Sequence, residues 1–147
     1  MENRNLNELF IHYENLRHTH LSQEHFKYLV LLFPSLKVCM SDGVLDAEEW
    51  NALLKTAKAM AEAFALSADE KSDLLRIINQ ELIYLLDHIE NWDQPFMSAL
   101  WGHLQANPQD KEYVEESIFL FANVADGISH NESVVIGEIT EKLALHS

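Results

Sequence analysis

The residues best suited to chemistry sit in two short turns. The first is Ser41-Asp42-Gly43-Val44-Leu45-Asp46-Ala47-Glu48-Glu49. The second, Ala125-Asp126-Gly127-Ile128-Ser129-His130-Asn131-Glu132, is an imperfect copy that is one residue shorter. Carboxylate oxygens are hard ligands that suit divalent cations. Asp42, Asp46, Glu49, Asp126 and Glu132 are therefore the candidate metal ligands, with Asp42 and Asp126 as direct oxygen donors. The two turns would share one cation if their hairpins pack together. The plainer alternative is that each Asp accepts backbone N–H bonds from its own turn. In that reading Asp46 and Glu49, like Ser129 and Glu132, form capping boxes. An acid at a helix C-terminus opposes the helix dipole at a cost of about 0.3–1 kcal/mol. The sequence accepts that cost at both turns, so some interaction must offset it.

Other chemistry is less well specified. Counting Gly43 as position six of a calcium-binding EF-hand loop puts Glu49 at position twelve. Positions one and three then fall on Val38 and Met40, which cannot bind calcium, so an EF-hand is excluded. His18, His20 and His25 lie close together, but neither a Glu-x-x-His nor a His-Glu-x-x-His pair occurs. The histidines read more simply as an exposed polar turn. Cys39 has no CxxC partner and sits in an apolar helix, which fits a small buried residue rather than a nucleophile. Neither a phosphate-binding glycine loop nor a GxSxG elbow is present. No catalytic or cofactor-binding residue is assigned, and a non-enzymatic protein is expected. Trp50, Trp92 and Trp101 read as core anchors.

The turns must be positioned by helices. Few of the 147 residues are glycine or proline, and no segment alternates as a strand does. The apolar spacing predicts about seven helices. The first spans 3–18. The second is capped by Ser22, kinks or restarts at Pro34, and runs to the first Asp-Gly turn. The third covers 47–64. The fourth opens with the Ser67 capping box and runs to about Glu90. A break at 91–95 precedes a short fifth helix that has Pro95 in its first turn. A sixth, from Pro108 to about Ala125, is apolar on most faces and is expected to be the central helix. A seventh carries Val134, Val135, Ile136, Ile139 and Leu143.

Gly43 and Gly127 fit the left-handed position just past a helix end. One domain over 1–147 is expected. The longest apolar run, Tyr28 to Phe33, ends at Pro34 and is too short to cross a membrane. Met1–Asn5 lacks a basic stretch leading into an apolar run, so no signal peptide is expected.

Net charge is −14. Residues 77–147 hold 12 acids against Lys111 and Lys142 as their only Lys or Arg. That half lacks the basic face needed to bind nucleic acid through phosphates, and anionic membranes are disfavoured for the same reason. The acidic bias fits a solvated surface, or affinity for cations or for a basic protein partner.

Helix, Asp-Gly, a hydrophobic residue, Asp/Ser-x-x-Glu and helix, repeated once, resembles the TerB-like tellurite-resistance family over about residues 22–145. The resemblance implies an all-helical domain with an internal pseudo-twofold repeat and clustered acids. It also implies a role in bacterial tellurite or stress responses through metal binding or protein assembly rather than catalysis. In the second turn His130 and Asn131 stand where acids are frequent in that family. A cytoplasmic location and a divalent metal ion at the Asp-Gly turns follow as expectations. The alternative is a metal-free interaction module whose acidic C-terminal half docks a basic partner.

Overall fold

The computed structural model describes residues 5–19, 21–40, 47–63, 67–124 and 130–143, apart from the side chains at 60, 63, 119–124 and 130–132. The described chain forms an all-α bundle, with no strand among the described residues. Its helices are α1 (Leu6–Arg17), α2 (Gln23–Cys39), α3 (Ala47–Ala63), α4 (Ala68–Asp87), α5 (Ile89–Ala106), α6 (Lys111–Val124) and α7 (His130–Lys142), with a 3-10 turn over Pro108–Asp110 leading into α6. No described helix is long and apolar enough to cross a membrane.

Short polar side chains start the helices by accepting N–H groups that have no partner within the helix. Asn5 accepts from the Glu8 N–H at 2.8 Å, and Ser22 from the His25 N–H at 3.0 Å. Ser67 accepts from the Glu70 N–H at 3.2 Å, and its hydroxyl lies 3.1 Å from the Glu70 carboxylate. α1 stops where His18 turns left-handed, at φ 51°, and donates its N–H to Glu14 O at 2.9 Å.

The centre of the bundle is α2 rather than α6. α2 packs against each of the other six α-helices. From Tyr28 through Leu36 every residue is buried, and Val38 and Cys39 extend the run. A helix apolar all round has no face to give to water and must be enclosed. The same burial explains why α2 continues through Pro34, which lacks the N–H that would bond to the carbonyl one turn back. Breaking the helix there would expose neighbours that are fully buried.

The break expected at 91–95 lies instead at His88. α5 starts at Ile89 and carries Pro95 inside it. Helical spacing puts Trp92 and Phe96 on one face, and both are buried. Their rings meet at 5.9 Å, and Tyr13 and Phe33 pack on them at 5.0 and 4.7 Å. The contacts hold the turn despite the proline. Trp50 and Trp101 are half-buried, whereas Cys39 is buried as a small core residue.

Leu29→Ala or Leu32→Ala should destabilise the fold by about 2–5 kcal/mol, because the surrounding helices cannot close the cavity. Ser35 is fully buried, and its hydroxyl has no hydrogen-bond partner among the described residues. Ser35→Ala should therefore leave stability unchanged or raise it by about 1 kcal/mol. Urea unfolding midpoints of the three variants check both statements.

Candidate functional site

The first candidate site is formed by the helices that flank the two Asp-Gly turns. α6 packs against both α2 and α3, and α7 packs against α2. The helix pair around the first turn is thus in contact with the pair around the second. Burial raises the Tyr28 pKa, and Glu24, Glu70 and Tyr113 raise it further.

Asp42, Asp46 and Asp126 lie outside the described residues. Glu132 lies in the first turn of α7, and its side chain is outside the description. Glu49, in the first turn of α3, is half-buried with one carboxylate oxygen fully enclosed. Its main-chain carbonyl lies 3.7 Å from Cys39 Sγ, which ties the start of α3 to the end of α2. Among the described residues no three or more His, Cys, Asp or Glu side chains gather as a metal site. His18 and His25 do not converge on a ligand set; His18 caps α1, and the His25 ring lies 5.8 Å from Tyr28.

A second site carries no sequence motif. Glu81 on α4 is only 4% exposed. It shares the buried stripe of Leu74, Ile78, Leu82 and Leu85. Its carboxylate is held from α1 by Arg17, with Nε to Oε1 at 2.8 Å and Nη2 to Oε2 at 3.0 Å. Tyr13 donates its hydroxyl to the same Oε1 at 2.7 Å. Such a fork satisfies both oxygens, which a buried carboxylate requires. The Arg17 guanidinium also lies 3.9 Å above the Tyr84 ring. Tyr84 in turn accepts the Trp92 indole N–H at 2.9 Å and stacks on His88 at 4.4 Å. The clue in the sequence was a glutamate at core spacing, Ile78-x-x-Glu81-x-x-x-Leu85.

Beside this network an open cleft of about 370 Å³ is lined by Arg17, His18 and Thr19 from the end of α1 and by Arg76, Ile77, Gln80 and Glu81 from α4. Thr19 is engaged there, because its N–H and hydroxyl both bond to the Glu14 carboxylate.

A third polar cluster joins α5 to the 3-10 turn. His103 Nε2 lies 2.6 Å from Asp110 Oδ2, and Asp110 is 9% exposed. Imidazole–carboxylate pairs orient the base in nucleophilic triads. Here the other ring nitrogen faces the Asn107 amide at 3.4 Å rather than a hydroxyl or thiol. Asn107 also bonds to the His103 carbonyl at 3.1 Å, so the cluster closes the end of α5.

No family model, curated protein or solved structure matches the chain.

Arg17→Ala would leave the Glu81 carboxylate buried without its countercharge and should cost about 3 kcal/mol at neutral pH, read from urea unfolding. The Tyr13 pKa is raised, first by burial and then by the hydrogen bond to Glu81. In the folded protein Tyr13 keeps its proton where the unfolded chain has lost it. The linked stability is complete below the ordinary tyrosine value of about 10 and is lost as pH rises above it. Each such tyrosine should lower stability by about 1.4 kcal/mol per pH unit in that range. Tyr13→Phe should make the alkaline decline shallower, which unfolding at a series of pH values from about 9 to about 11 measures.

Proposed function

We propose that the chain is a non-enzymatic, TerB-like acidic module of a bacterial tellurite or stress response, acting in the cytoplasm, that takes up a divalent cation at its Asp-Gly turns. Asp42 and Asp126 would supply direct oxygen ligands, with Asp46, Glu49 and Glu132 as further ligands. The observation that carries this reading is the packing of α6 on both α2 and α3, with α7 on α2. Helices α2 and α6 pack against one another, and each precedes an Asp-Gly motif in the sequence. That packing supports a reading in which the two acidic motifs act together. Repulsion between like charges held close together would favour a cation between them. Glu49, in the first turn of α3 with one carboxylate oxygen enclosed, lies close in sequence to the first motif.

A second reading is a metal-free module that docks a basic protein. It is favoured by the exposed Glu112 and Glu116 on α6 and Glu138 and Glu141 on α7. The two readings differ in their response to salt. A docking surface weakens steeply with ionic strength, whereas a chelating site weakens less.

Calorimetric titration of the metal-stripped protein with calcium, magnesium, manganese and zinc separates them. Saturable binding that falls at least about tenfold in Asp42→Asn and in Asp126→Asn is the expected result. Loss in only one variant would indicate a one-turn site. Absence of binding, or binding that survives both changes, would return the two Asp residues to helix-end hydrogen bonding.

A further inference from the structure

We propose that the cleft between the end of α1 and the middle of α4 binds a small molecule through an oxyanion group, with Arg17 and Arg76 as its cationic contacts. The charge pattern is the first argument. The chain has three arginines among 147 residues and a net charge of −14. Two of those three line this one cleft, against a single carboxylate, Glu81. Against that net negative charge, two guanidinium groups beside one carboxylate make the cleft lining itself net positive.

The second argument is preorganisation. Arg17 does not reach the cleft as a loose surface side chain. Glu81 fixes its Nε and Nη2, and the Tyr84 ring supports the guanidinium plane at 3.9 Å. Those two bonds engage two of the five guanidinium N–H donors. The remaining donors are held on a rigid fork, which lowers the entropy lost on meeting a ligand. Glu81 serves as a positioning residue: it orients Arg17 while Tyr13 shares its charge.

Arg76 supplies the charge that Glu81 does not offset. It is exposed and makes no ion pair among the described residues. Gln80 lies one turn further along the same face of α4 and adds an exposed amide. Ile77 contributes apolar surface between them. Ligand pockets are commonly about 300–1,000 Å³, and this cleft of about 370 Å³ falls at the small end of that range. A compact metabolite fits that volume. Phosphate esters and carboxylates share the required oxyanion chemistry.

The probes are inorganic phosphate and succinate, titrated separately into the full-length protein at low ionic strength and followed by amide NMR shifts. The expected result is saturable movement of signals from 17–19 and 76–81 with at least one probe. Response to phosphate alone assigns a phosphate ester, and response to succinate alone assigns a carboxylate. Arg76→Gln should weaken that binding about tenfold without changing the melting temperature, because Arg76 is exposed. Asp42→Asn should leave it unchanged, so the result is independent of the cation reading. Absence of saturable shifts with both probes, or affinity unaltered in a folded Arg76→Gln protein, would overturn the proposal.

Discussion

The burial of α2 is the constraint that organises this structure. From Tyr28 to Leu36 it offers no polar face, so it is stable only when enclosed, and each of the other six α-helices packs on it. The two prolines inside helices follow from the same demand. Pro34 and Pro95 each remove a backbone donor, yet the helices run on because large side chains on either side are already committed to the core. Phe33, Phe96, Trp92 and Tyr13 form a continuous aromatic contact that joins α2, α5 and α1.

A charge breaks into this apolar interior on α4. Glu81 occupies a core position on α4 and is tolerated because Arg17 and Tyr13 satisfy its oxygens from α1. The pairing closes α1 onto α4 through side chains and leaves the cleft beside it. Stability and site are linked here, since the carboxylate that α4 must neutralise is also what holds the Arg17 guanidinium in place. The ion pair of Lys37 with Asp93, at 2.8 Å, links α2 to α5 nearer the surface, where solvent screening leaves it a smaller role.

Charge is distributed unevenly over the helices. Glu112 and Glu116 on α6 and Glu138 and Glu141 on α7 are exposed, whereas the two cleft arginines lie on α1 and α4. α6 packs on α2 and α3, and α7 packs on α2, so the helices that flank one Asp-Gly motif touch those that flank the other. The cleft draws on the end of α1 and on α4, neither of which adjoins an Asp-Gly motif in the sequence.

The sequence by itself determined the helical class, the helix starts at Ser22 and Ser67, and the apolar stripes, because capping and periodicity are local effects written within a few residues. It also marked Cys39 and Trp92 as interior residues. The tertiary structure alone decided which apolar helix lies at the centre. The runs in α2 and α6 look alike until the number of helices packed on each is known. It also decided that Pro95 lies inside a helix, because the contacts outweighing the proline come from α1 and α2. Above all it decided the Arg17–Glu81 pair, whose members are 64 residues apart. A glutamate at core spacing resembles a surface residue until its partner is visible. Long-range electrostatic pairing depends on distance through space, which spacing along the chain does not encode.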